Sequence, residues 1–223
     1  MDVVAVVVSR APSHGPAAVD DLDLLAGVPV VVRAVRGLLA SGGVDRIMVL
    51  CAPERRDRTA SALAGLPAVV HTSVESLREA LHPRAGDGTG PAGGGALLVH
   101  DAARPLAPPE LVAEVLAAVH AGHPVVVPAL PLTDTAKLLA ADGHVGRTPD
   151  RSALRVLQTP QGFDAGLAGA VLDALAAGGP PERVYAVLPD PRVHTVPGHP
   201  SAFPLRGPGG RDLAEVLLGE GVG

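Results

Sequence analysis

The sequence predicts a doubly wound α/β domain with a mostly parallel sheet, and three observations carry that prediction. Short runs of β-branched residues alternate with Ala- and Leu-rich segments of helical period, the pattern of repeated strand–helix–strand units. The strand runs are apolar throughout rather than alternating, as strands covered on both faces must be. Hydrophobic residues make up 47% of the 223, enough for one sizeable core, and the length suits a single domain over residues 1–223.

In chain order, strands are expected at Val3–Val8, Asp45–Leu50, Ala68–His71, Ala96–His100, Pro124–Pro128 and Val193–Val196. Helices are expected at Pro29–Ala40, Glu54–Ala64, Val74–His82, Pro108–Ala121 and Asp164–Ala177, with Asp212–Leu218 closing the chain. Pro29 suits a helix entrance, and Ser73 ahead of Val74 is an N-cap signal. Two stretches break the rhythm. Pro83–Gly95 is rich in Gly and Pro and reads as a surface loop, whereas Leu132–Phe163 is too polar and turn-rich for another strand–helix unit. Its centre, Ala141-Asp142-Gly143-His144, is a hairpin-turn signal, so residues 132–163 are expected to project as an arm.

Composition excludes several classes. Three aromatics, Phe163, Tyr185 and Phe203, provide no base-stacking platform, and a net charge of -5 argues against a nucleic-acid partner. One cysteine, Cys51, allows neither an internal disulfide nor a Cys-rich zinc site. The start of the chain has no basic segment, and its apolar run is too short for a signal peptide or a membrane span, so a cytoplasmic location with no membrane contact is expected. Lys137 is the one lysine among 18 basic residues, so chemistry needing two lysines is closed to this chain.

Most local motifs favour bland explanations. Gly88-Thr89-Gly90-Pro91-Ala92-Gly93 fits a dinucleotide fingerprint but precedes a strand, where the mechanism requires it to follow one and open a helix. Lys137 follows no glycine loop and no Gly-x-Ser-x-Gly elbow occurs, which removes the phosphate loop and lowers the case for an α/β hydrolase. His120 and His123 straddle a helix end, where the dipole favours a cationic imidazole; His194 and His199 flank a Pro/Gly turn and are expected in solvent. The informative stretch is Val99-His100-Asp101-Ala102-Ala103-Arg104-Pro105. A buried strand ending in an acid and a base sets charges at the carboxyl edge of the sheet, where open α/β folds bind ligands. The plain alternative is a strand-end Asp capping the next turn with Arg104 as its partner.

Three segments taken together decide further. The strand-end motif, Pro131-Leu132-Thr133-Asp134-Thr135-Ala136-Lys137, and Thr148-Pro149-Asp150-Arg151 followed by Leu157-Gln158-Thr159-Pro160-Gln161-Gly162-Phe163 resemble, in this order, the methylerythritol-phosphate cytidylyltransferase family of the non-mevalonate isoprenoid pathway. The resemblance is good over residues 96–170 and weaker towards both ends. It implies a Rossmann-like nucleotidyltransferase fold and transfer of CMP from CTP to methylerythritol phosphate, with pyrophosphate released and Mg2+ as cofactor. It also implies that Asp101 binds metal and nucleotide, with Ser73 and Ala102 on the nucleotide and Arg104 in the same loop. Thr135 and Arg151 match arm residues that reach across a homodimer to the sugar phosphate, and Thr159 matches a substrate-site threonine.

The chain departs from the family at both ends. The Gly-rich nucleotide loop reads Ser9-Arg10-Ala11-Pro12-Ser13-His14-Gly15-Pro16, whose prolines remove backbone donors from a phosphate nest. Asp21 aligns with the family's loop lysine. The C-terminal Asn-Ile-Lys segment and its nearby acid are replaced by Ser201-Ala202-Phe203-Pro204-Leu205-Arg206, and the Thr-Asp-Asp stretch by Glu182-Arg183-Val184-Tyr185-Ala186-Val187. Two expectations follow. In one the chain is an active cytidylyltransferase in which Arg10 and Arg206 replace the lost lysines. In the other it is a non-catalytic paralogue that binds a phosphorylated ligand or forms a heterodimer with an active family member.

Overall fold

The computed structural model describes residues 2–10, 19–81, 95–188 and 192–220. The Gly88–Gly93 motif, His82, most of the expected Pro83–Gly95 loop and the nucleotide-loop residues after Arg10 lie outside them.

Strand β1 (Val3–Val8) is buried at every position, as six mostly β-branched residues covered on both faces should be. A two-strand hairpin, β2 (Leu24–Leu25) and β3 (Val28–Pro29), leads into α1 (Val30–Ala40). There follow β4 (Arg46–Leu50), a 3₁₀ turn, α2 (Arg56–Ala62), β5 (Ala68–His71), α3 (Val74–Leu81), β6 (Ala96–Asp101), α4 (Pro109–His120) and β7 (Val125–Pro131). The chain then forms β8 (Arg155–Leu157), β9 (Gln161–Asp164), α5 (Ala168–Ala176), a 3₁₀ segment at Pro181–Val187, β10 (Val193–Pro197) and α6 (Gly207–Glu220).

Among the described residues the main sheet has eight strands in the order β10-β7-β9-β6-β1-β4-β5, with β8 paired to β7. The β1–β4, β1–β6, β4–β5 and β7–β10 pairs are parallel, and β9 runs antiparallel to both β6 and β7. The predicted mostly parallel α/β sheet is thus observed, with one antiparallel strand in its middle. Two apolar layers cover it. Val31, Val35 and Leu38 of α1 and Val112, Val115 and Leu116 of α4 pack on one face; Leu77 of α3 and Val171, Leu172 and Leu175 of α5 pack on the other.

Four expectations change. The closing helix, expected at Asp212–Leu218, runs over Gly207–Glu220. The excursion from the sheet ends earlier than Phe163, because Gln161–Asp164 is the strand β9 and Phe163 is fully buried. The expected helix from Asp164 begins as a 3₁₀ turn, with the Asp164 carboxylate accepting from the Gly166 N–H, and becomes α-helical at Ala168. The helix expected at Glu54–Ala64 likewise starts with a 3₁₀ turn at Pro53–Arg55. Within the arm, Leu139 bridges Val145 across the turn that carries Gly143 at φ 84, so the hairpin signal is realised. No described helix is long and apolar enough to cross a membrane.

Candidate functional site

The parallel strands β1, β4, β5 and β6 point their carboxyl ends to one edge, and the amide network holds the loops there close to the sheet. The Ser9 N–H donates to the Leu50 carbonyl (2.8 Å), and the Ala102 N–H donates to the Val8 carbonyl (3.1 Å). Ala102 is buried, with its N–H held by Val8, whereas Ser73 is exposed at the start of α3 and accepts from the Ser76 N–H (3.1 Å).

Asp101, the last residue of β6, is 7% exposed. One carboxylate oxygen accepts from the Ala103 N–H (3.0 Å), and burial pushes its pKa up, against the pull of that amide and of Arg104 and Arg206. Its own N–H donates to Thr159 Oγ1 (3.0 Å), which lies 3.1 Å from His100 Nδ1. His100 is fully buried, which pushes its pKa down to about 3. A neutral ring with an unprotonated Nδ1 accepts the threonine proton, so one hydroxyl satisfies both neighbours. Thr159 therefore fixes the strand end that carries Asp101. Arg104 is buried and donates to the carbonyls of Ala202 (2.7 Å) and Leu157 (3.3 Å). The strand-end loop is thereby tied to the β8 segment and the C-terminal stretch.

Arg206 reaches this edge from the C-terminal stretch. Its guanidinium lies 3.8 Å from Asp101 Oδ2 and 2.8 Å from Glu182 Oε1, with the side chain 61% exposed. Sequence patterning places no acid near the C-terminal segment; the structure supplies one, Glu182, from the 3₁₀ segment instead. Its backbone carbonyl accepts from the side chain of Gln161 in β9 (2.8 Å). Burial pushes the Glu182 carboxyl up, but its own main chain and the cations Arg206 and Arg104 together bring it below the usual range. The only sequence signal is an acid just after Pro180-Pro181, in the stretch matched to the family's Thr-Asp-Asp.

Arg10, the other expected cation, donates to the carbonyls of Gly178 (3.2 Å) and Gly179 at the end of α5. Asp21, expected from the sequence at the position of the family's loop lysine, is buried and shares Arg55 with Asp20. Burial pushes the Asp21 carboxyl up to about 6, and the Arg55 hydrogen bonds hold Asp20 down at about 2. The Asp20 and Asp21 carboxylates are therefore paired with a buried arginine. Thr135 and Arg151 are both exposed on the arm, where Arg151 donates to the Thr133 carbonyl (3.3 Å). The structure thus gathers Asp101, Ala102, Arg104, Thr159 and Arg206 around one strand end. It sets Arg10 on the α5 terminus, Ser73 at the end of β5, and Thr135 and Arg151 on the arm. Against expectation, the half-buried His194 ring stacks on His123, with centroids 3.7 Å apart.

Among the described residues no three His, Cys, Asp or Glu side chains are grouped to hold a metal ion. Two carboxylates nonetheless face Arg206 at this edge, those of Asp101 and Glu182, and Glu182 Oε2 is buried without a hydrogen-bond partner. That donor set suits Mg2+, which commonly takes one or two carboxylates and completes its shell with phosphate oxygens and water.

Comparison with known proteins bears on what these residues serve. Residues 9–219 match the family described as IspD: 2-C-methyl-D-erythritol 4-phosphate cytidylyltransferase. A protein of that name from Nocardia farcinica is 45% identical over 194 residues, covering 86% of this chain and 82% of the relative. One from Frankia casuarinae is 43% identical over 203 residues, 88% and 73% of the two chains. The crystal structure of the enzyme from Thermus thermophilus superimposes with a TM-score of 0.69 at 26% identity, over 97% of this chain and 98% of that one. A synthase structure from Anaerococcus prevotii gives 0.73 at 21% identity over 98% of both, a likeness of fold alone. With nearly its whole length matched and its strand-end, arm and Thr159 motifs in the family's order, the chain belongs to the 2-C-methyl-D-erythritol 4-phosphate cytidylyltransferase family.

Proposed function

We propose that the chain transfers CMP from CTP to methylerythritol phosphate. A phosphate oxygen of the acceptor attacks the α-phosphorus, the bond to the β-phosphate oxygen breaks, and pyrophosphate leaves. The observation that carries this reading is an exposed arginine, Arg206, beside the buried Asp101 at the carboxyl end of a central strand. In such a displacement charge spreads over non-bridging oxygens, so the protein's task is positioning and charge neutralisation rather than covalent catalysis.

In this reading Asp101, with Glu182 beside it, would hold Mg2+, which when bound neutralises part of the triphosphate charge. Arg206 receives phosphate oxygens as a fixed cation, and a guanidinium takes two of them at once. Ser73 and the Ala102 main chain face the nucleotide. Arg104 and Thr159 hold the acceptor side of the strand end, and Thr135 and Arg151 reach the sugar phosphate of a second copy, so that the working unit is a cytoplasmic homodimer. Arg10 must exchange its glycine carbonyls for phosphate to contribute, so it ranks below Arg206. Pyrophosphate release from CTP, Mg2+ and methylerythritol phosphate tests this: Arg206→Ala should lower the rate by about 10²–10³-fold, and Arg10→Ala by much less. Turnover unchanged in Arg206→Ala contradicts the assigned role.

A second reading rests on the expected alignment of Asp21 with the family's loop lysine, together with the pairing of Asp21 to Arg55. There the chain is a non-catalytic paralogue that binds a phosphorylated ligand or completes a neighbour's pocket through its arm. Its signature is an absence of turnover together with heterodimers in native mass spectra after co-expression with an intact family member.

A further inference from the structure

Arg10, Arg55, Arg104 and Arg206 stand near the carboxyl edge of the sheet, and their partners differ in kind. Arg10 and Arg104 donate to backbone carbonyls, and Arg55 is nearly buried between Asp20 and Asp21. Arg206 keeps a largely exposed side chain and is bonded to one carboxylate, that of Glu182, at 2.8 Å. A long exposed side chain has wide rotamer freedom, so its place over Asp101 needs an anchor. Glu182 has the properties of one. Its side chain is 16% exposed, and its carbonyl is held by Gln161, itself fully buried in β9 beside the strand that ends in Asp101.

We propose that Glu182 is a positioning residue that holds the Arg206 guanidinium beside Asp101, ready to receive a polyphosphate. The inference deepens the proposed function and rests on its polyphosphate-binding half. It also runs against simple electrostatics, which makes it decidable. Removing a carboxylate from an anion site should tighten anion binding if charge alone matters; removing an anchor should weaken it.

The test is calorimetric binding of inorganic tripolyphosphate to the full chain in metal-free buffer, so that any role of Glu182 towards Mg2+ does not enter, in wild type, Glu182→Ala, Glu182→Gln, Arg206→Ala and the Ala/Ala double variant. Glu182→Ala should bind about three- to tenfold more weakly, the scale of ordering one long side chain. Glu182→Gln, whose amide oxygen still accepts from Arg206 while one negative charge is gone, should bind as tightly as wild type or more so. In the Arg206→Ala background Glu182→Ala should change nothing further. Tighter binding by Glu182→Ala, an equal loss with and without Arg206, or a wild type that does not bind tripolyphosphate overturns the proposal. The probe has neither base nor acceptor. Tripolyphosphate binding without pyrophosphate release from CTP would therefore contradict cytidylyl transfer while leaving the role of Glu182 intact.

Discussion

At residue scale the site depends on one hydroxyl. Thr159 accepts from the Asp101 N–H and faces the neutral, buried His100. Thr159→Val leaves a buried N–H and a ring nitrogen without partners and should cost about 1–3 kcal/mol in urea unfolding, with Thr159→Ser recovering most of it. Asp21 gives a second, pH-dependent expectation. Its folded pKa is raised to about 6 from 3.8 by burial, so the folded state holds a proton that the unfolded state releases. Stability from this group is present below pH ~4 and falls as pH rises through ~6. Asp21→Asn should therefore gain stability relative to wild type between these values and level off above them, as urea melts across the range will show; a flat difference contradicts the assignment. The Asp101 motif is legible in the sequence because a buried apolar run ends in charge. Glu182 is not, because its role comes from Gln161 and Arg206, which are 21 and 24 residues away in the chain.

At the scale of elements, continuous apolar runs such as Val3–Val8 and Ala96–Asp101 are readable because strands buried on both faces have little choice of residue. Strand β9 is hidden. Gln161 and Gly162 fall within the expected arm, yet Gln161 is fully buried with its amide on the Glu182 carbonyl, and Gly162 lets α4 approach the sheet. A Cβ at Gly162 would meet methyl groups of Val115 and Val119 at 2.7 Å. Gly162→Ala should thus destabilise by about 1–3 kcal/mol through overpacking, measured by chemical denaturation, and an unchanged midpoint contradicts the close approach. Insertion of β9 between β6 and β7 also has a functional consequence. It brings Thr159 and Gln161 to the strand end that carries Asp101, which joins the arm's return to the site.

At the scale of the whole molecule, the arm leaves Leu139 69% and Val145 67% exposed, an apolar pair that a partner copy would cover in the proposed homodimer. Leu139→Asp with Val145→Asp should shift sedimentation from dimer towards monomer while leaving thermal stability of the isolated domain nearly unchanged; a wild type that sediments as a monomer contradicts the arrangement. Whether this chain, with its single lysine, binds the nucleotide at the proposed site is decided by calorimetric titration of CTP with Mg2+ into the purified chain. Saturable binding is expected, and Arg206→Ala should weaken it by at least about tenfold, the loss of one charge-assisted hydrogen bond. No binding at millimolar CTP, or binding indifferent to Arg206, would contradict the assigned site and leave the chain as a silent member of its family.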